Sequence, residues 1–233
     1  MTSVLFLGLM IGMQHALEAD HIAAVASIAA RETTLKRAVT HGAAWGLGHT
    51  LTLMAVAGGV VVLGTTIDAQ IAAYLEAVVG VMLIGLGGHL LYRLWRDRIH
   101  FHVHRHTGGA AHFHAHSHKG EAQAHKKSSH DHTHPRRLPV RTVLVGMMHG
   151  LAGSAALLIL TASTVDSPAL GLIYIALFGI GSIAGMAALS AVIAVPMSYS
   201  ARFVTWANRS LQAGVAVATA GLGIWIVIQS TSV

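Results

Sequence analysis

The stretch that decides how this chain is read is GMQHALEADHIAAV, residues 12–25. It lies inside an apolar run over residues 4–30, and within seven residues it carries His15, Glu18, Asp20 and His21. An acidic side chain at the centre of a membrane helix costs roughly 2.5–3.5 kcal/mol on insertion scales. Two carboxylates and two imidazoles therefore do not face lipid. They face the interior of a helix bundle or a water-filled cavity. No basic segment precedes the run, and it is too long for the apolar core of a signal peptide, so it is expected to be a retained helix.

The rest of the chain agrees with a membrane setting. Of its 233 residues, 54% are hydrophobic and 10% are charged, against about 25% charged in a soluble domain. Its mean hydropathy is +0.61. It has no cysteine, which excludes disulfides, thiolate metal sites and cysteine nucleophiles.

Six apolar segments stand out, near residues 4–30, 40–63, 71–94, 142–164, 169–196 and 204–229. Each reaches the ~20 residues needed to cross the bilayer. The fold expected is thus an all-α membrane protein with six transmembrane helices. Ser167 and Pro168 read as the cap and first residue of the fifth, and Pro196 reads as its end.

All 15 Lys and Arg fall in or beside three connections: Arg31, Lys36 and Arg37; then Arg93 through Arg141; then Arg202 and Arg209. With six crossings these connections share one face. The positive-inside rule makes that face cytoplasmic and puts both termini outside, in a multi-pass cell (inner) membrane protein.

The halves of the chain repeat. GMQHALEADHIAA (12–24) aligns with GMMHGLAGSAALL (146–158), pairing His15 with His149, Glu18 with Ala152 and Asp20 with Ser154. WGLGHT (45–50) aligns with FGIGSI (178–183), pairing His49 with Ser182. LEAVVGVMLIGLGGH (75–89) aligns with LQAGVAVATAGLGIW (211–225). The offsets are 134, 133 and 136. A three-helix unit repeated once must insert in opposite orientations, so the expected architecture is a 3+3 inverted-topology repeat. Residues 1–95 and 142–233 are the repeats, joined by a loop over 96–141. Such repeats place their substrate site near mid-membrane, where the two units meet.

A divalent cation balances the polar group in the first helix. Two carboxylates cancel its charge, and neutral imidazoles complete its shell. Nitrogen and oxygen donors without sulfur suit nickel, cobalt or zinc better than copper(I). The candidate metal ligands are His15, Glu18, Asp20 and His21, with His49 and His149 added by the second helix and by the repeat. On a continuous helix His15, Glu18 and His21 share one arc of about 120°, while Asp20 points about 160° away from Glu18. Asp20 thus takes another partner, or the helix is irregular at this point. Met10, Met13, Met147 and Met148 read as core packing, and His41 and His89 as interfacial histidines.

The loop over 96–141 holds 12 of the 18 histidines, in runs such as HFHVHRH, HFHAHSH and HDHTH. It lacks a packable apolar pattern, so disorder without metal is expected, with metal buffering on the cytoplasmic side. Its few basic residues serve membrane anchoring; no nucleic-acid partner is expected.

HALEADH (15–21) resembles the H-x4-D-H signature of the nickel/cobalt transporter family (NiCoT), and LGHT (47–50) is similar to its second motif. The length resembles the short branch of urease-accessory-type membrane proteins, and the loop is similar to that of nickel/cobalt efflux proteins. The resemblance implies a permease in which His15, Asp20, His21 and His49 recognise the metal. It differs from the usual members in having six helices instead of about eight, and in lacking their later acidic motif. The metal ion is then cargo; no cofactor is expected and no enzymatic activity, since there is no H-E-x-x-H. A cytoplasmic metallochaperone is a candidate partner. Uptake is favoured by the first motif, and efflux, with the loop collecting metal, is the alternative.

Overall fold

The computed structural model describes residues 2–30, 32, 34–65, 67–96, 101–104, 112–115, 139–151, 167–203 and 205–232. Its elements are α1 (Thr2–His15), α2 (Ala19–Ala29), α3 (Leu35–Leu63), α4 (Ala69–Arg96), β1 (Phe101–His104), β2 (His112–Ala115), α5 (Val140–His149), α6 (Pro168–Phe203) and α7 (Thr205–Thr231).

Among the described residues four helices are long and apolar enough to cross a membrane: Leu35–Leu63, Ala69–Arg96, Pro168–Pro196 and Asn208–Thr231. They coincide with the second, third, fifth and sixth expected segments. The first expected segment is not one helix but two, α1 and α2, separated at residues 16–18. The fourth is described only to residue 151, and its helix α5 ends at His149.

Helix ends follow local chemistry. Thr34 caps α3 by accepting from the Arg37 amide. At the other end Gly64 takes φ +61°, a left-handed conformation that glycine adopts without a Cβ clash. Ser167 caps α6, accepting from the Leu170 amide at 3.3 Å, with Pro168 first in the helix as expected. Pro196 does not end that helix: α6 continues through it to Phe203. Proline removes one hydrogen bond from a helix, and here the remaining helical bonds on both sides carry the helix past it.

In the His-rich loop, residues 101–104 and 112–115 pair as a short antiparallel ribbon, in the register Phe101↔Ala115 and His104↔His112. Of the remaining residues of the 96–141 loop, Arg96 ends α4 and 139–141 lie at the start of α5; the rest, on which the expectation of disorder falls, lie outside the described residues.

Glycines mark where backbones touch, and the touching pairs match across the repeat. A Cβ on Gly12 would overlap the Phe178 carbonyl, and one on Gly146 the Trp45 carbonyl. Gly48 lies against the backbone of Val143 and Met147, and Gly181 against that of Leu9 and Met13. Gly46 abuts Ile183, and Gly179 abuts Thr50. Gly87 meets Ala216 and Ala220, as Gly223 meets Gly80 and Ile84. At the repeat offsets, each contact is its partner with the two halves exchanged.

Direction follows from the same pairs. In α3 and α6, residues 42, 46 and 58 meet residues around 190, 183 and 172, so these helices are antiparallel. The pairs from α4 and α7 run antiparallel too. α1 runs parallel to α6, and α5 runs parallel to α3.

Gly12→Ala and Gly146→Ala are accordingly expected to lower the thermal midpoint by similar amounts, since overpacking costs about 1–3 kcal/mol. Gly85→Ala, whose Cβ would meet nothing within 4 Å, is expected to raise it slightly, by helix propensity. Thermal melting of the three purified variants checks this. Unequal shifts at Gly12 and Gly146 would count against the repeat.

Candidate metal centre

The break after α1 relieves the conflict that a continuous helix sets for Asp20. The Leu17 amide bonds to the Gln14 carbonyl at 2.8 Å, and the Glu18 amide to the His15 carbonyl at 3.1 Å. These are tight three-residue turns that close α1 at His15. Glu18 is then extended, with φ −65° and ψ 150°, and its carbonyl accepts from Ile22 to start α2. Its carboxylate does not cap α2. It reaches back to His15, with Nδ1 2.7 Å from Oε1. The new helix start reorients Asp20, whose Oδ1 accepts from the His21 amide at 2.8 Å and lies 2.9 Å from His21 Nδ1.

Asp20 also has the distant partner that its position demanded. Its Oδ2 lies 3.1 Å from His149 Nε2, an ion-pair distance without the alignment of a hydrogen bond. His149 is the last residue of α5, and Gly150 and Leu151 follow it as a turn. His15 is likewise the last residue of α1. The two histidines thus sit at the C-terminal ends of α1 and α5. Such ends carry partial negative charge, which favours a cation there.

His49 completes the group from α3. The ring centroids of His15 and His21 are 4.3 Å apart, those of His21 and His149 4.2 Å, and those of His21 and His49 5.2 Å. Ligand atoms of His15, His21 and His49 lie within 4.8 Å of one another, and so do those of Asp20, His21 and His149. The two groups share His21. All four imidazoles are buried. Glu18 stands at the edge, with a side chain half exposed.

A carboxylate can only accept, so a neutral His15 or His21 ring keeps its proton on Nδ1 and its lone pair on Nε2. Both Nε2 atoms are buried without a hydrogen-bond partner, and so are both ring nitrogens of His49. Buried polar atoms in a folded protein are nearly always partnered. Carboxylates gripping the far side of imidazoles whose near side is free is the usual arrangement around a histidine that ligates a metal.

Two wall residues were not singled out from sequence. The Phe178 ring lies 5.1 Å from His15, and the Trp45 ring 5.1 Å from His149. These contacts exchange under the repeat. The signal that could have found them was the alignment of WGLGHT with FGIGSI, which pairs the two aromatics. The methionines expected in the core are outside it: Met10, Met13, Met147 and Met148 are 37–42% exposed. In an apolar surface this broad, a thioether is simply another apolar side chain.

A protein of Bacillus sp. (strain TB-90), the urease accessory protein UreH, is 32% identical over 212 residues, covering 90% of this chain and 84% of the relative. The chain belongs to the UreH family. The relative is thus named as an accessory protein and not as an enzyme, and with four apolar helices of spanning length among the described residues the chain is a membrane protein. No family model matches the chain. No solved structure matches it either.

Proposed function

We propose that this chain is a membrane permease for a divalent transition-metal ion, nickel or cobalt, working in the direction of uptake. The observation that carries the reading is the convergence of four buried imidazoles from α1, α2, α3 and α5, with Asp20 between two of them and each of the four carrying a buried ring nitrogen without a hydrogen-bond partner. The nitrogen and oxygen donors favour these ions, and the nickel/cobalt transporter motifs, together with a relative named as a urease accessory protein, support the same reading.

His49 lies fourteen residues from each end of Leu35–Leu63, and Ser182, its repeat mate, fourteen from each end of Pro168–Pro196. That depth supports a site at mid-membrane. The reciprocal glycine contacts support two three-helix units, 1–95 and 142–233, inserted in opposite orientations. The distribution of Lys and Arg supports a cytoplasmic loop over 96–141 and external termini.

The metal is substrate, not cofactor. His15, His21 and His49 offer lone pairs to an ion that has shed water, and Asp20 offsets its charge. Because His21 belongs to both donor groups, the ion can move from the His15–His49 side to the His149 side by exchanging ligands around one imidazole. The cytoplasmic loop buffers metal, and a metallochaperone is the candidate recipient.

Cells expressing the protein are expected to accumulate more radioactive nickel than control cells, and His15→Ala to abolish the gain. Lower accumulation than control would reverse the direction to efflux. No change in either direction would sink the permease reading.

A further inference from the structure

A second polar cluster lies outside the central one, two helical turns from His49 toward the start of α3. His41 Nε2 is 3.3 Å from Glu32 Oε1, and His41 Nδ1 is 2.7 Å from Thr142 Oγ1. The three residues come from three places: the connection after α2, the early turns of α3 and the first turn of α5. The side chains of His41 and Glu32 are 27% and 17% exposed, so this cluster is reachable where the central histidines are not.

Its place on the seam between α3 and α5 gives it meaning. Eight residues separate His41 from His49, about 12 Å along the helix. Seven separate Thr142 from His149 on the parallel helix. The seam therefore carries polar groups at two levels, and between them it is shut. There Gly48 lies against the backbone of Val143 and Met147, and Gly146 against Trp45.

The repeat supplies a control. At the repeat offsets His41 corresponds to Tyr174 and Thr142 to Gly8. Tyr174 is buried and packs against Gly8, where a Cβ would come within 2.9 Å of its ring carbons. Around it pack Leu53, Ala57, Ile175 and Phe178. Among the described residues this seam is packed by Tyr174 and apolar side chains and holds no imidazole at this level, where the α3–α5 seam has one.

The donor chemistry is that of a cation site. With Nε2–H facing the Glu32 carboxylate and Nδ1 accepting from the Thr142 hydroxyl, the cluster is satisfied without an ion. An ion held by Nε2 and the carboxylate needs only the other neutral tautomer, in which Nδ1–H donates to Thr142. One imidazole and one carboxylate repeat the nitrogen and oxygen donor types of the central cluster.

We propose that Glu32 and His41 form a second divalent-metal station on the transport path, at the end of the α3–α5 seam where the basic connections lie, exchanging its ion with the His49–His149 level when the seam parts. The inference rests on the permease reading for its place in the path, but not for metal binding itself.

Cobalt titration of the purified full chain, followed by visible absorption, tests it. The His-rich loop contributes equally to every variant, so differences between variants report single sites. Glu32→Gln and His41→Gln are each expected to bind about one equivalent less than wild type, with unchanged melting in metal-free buffer. His15→Ala is expected to lose a different equivalent, and the Glu32→Gln/His15→Ala pair to lose both. In proteoliposomes Glu32→Gln should raise the half-saturating cobalt concentration about tenfold, the scale on which metal sites respond to losing a single supporting partner, and Glu32→Asp should restore it. Wild-type stoichiometry and half-saturation in both Glu32→Gln and His41→Gln would overturn the station. Loss of an equivalent in Glu32→Gln but not in His15→Ala would leave the station standing and remove the central site instead.

Discussion

His49→Leu is expected to stop metal transport while leaving the folded protein at least as stable as wild type. His49 is fully buried, and neither ring nitrogen has a hydrogen-bond partner. A buried polar atom without a partner costs about 1–3 kcal/mol. Leucine has no polar atom to satisfy and a volume close enough to avoid the cavity that alanine would leave. Stability therefore holds or rises, while a bound ion would lose one of its candidate donors. Partners that only support a metal ligand are worth about 10–100-fold in affinity or activity, so losing the ligand itself should reach or exceed the upper end. Melting in metal-free buffer, with and without added nickel, checks both halves. Wild type should gain stability from the ion by mass action, and the variant should gain much less. A variant that melts well below wild type yet still transports would show His49 to be a packing residue.

The sequence displayed the polar cluster and the four long helices clearly, because hydropathy and charge act along the chain. The helix break was only half legible. A helical wheel assumes a continuous helix, and on that assumption Asp20 faced away from Glu18, which announced a conflict without locating its relief. The relief depends on Glu18 bonding back to His15 and on Asp20 reaching His149, more than a hundred residues away. The end of α5 at His149 was hidden for a similar reason: the apolar pattern runs on past it. Pro196 misled because proline penalises a helix locally, whereas a long helix is stabilised on both sides of it. His41 looked like an inexpensive interfacial histidine until Glu32 and Thr142 were seen beside it. Trp45 and Phe178 were hidden in plain view, since an aromatic in an apolar helix carries no signal of its own.

Asp20→Asn should be far more damaging than Glu18→Gln, although both acids lie in the same short stretch. Asp20 contacts the His21 ring, the His21 amide and His149, and so ties the start of α2 to the end of α5. Glu18 contacts His15 alone among these rings and is half exposed, whereas Asp20 is 23% exposed. Charge compensation weakens as solvent screens it, so the less exposed acid offsets more of a bound ion's charge. Asparagine keeps the shape of Asp20 but leaves a divalent ion among neutral imidazoles, with one amide donor turned toward a ring that had faced a carboxylate oxygen. The second repeat cannot compensate, because Ala152 and Ser154 stand where the acids would be. Initial uptake rates at matched expression should therefore fall at least about 100-fold for Asp20→Asn, again the upper end of what single supporting partners are worth, and only a few-fold for Glu18→Gln. Equal losses would mean that charge near the cluster matters more than its place, and that the bridge from α2 to α5 through Asp20 has no part in handing the ion across.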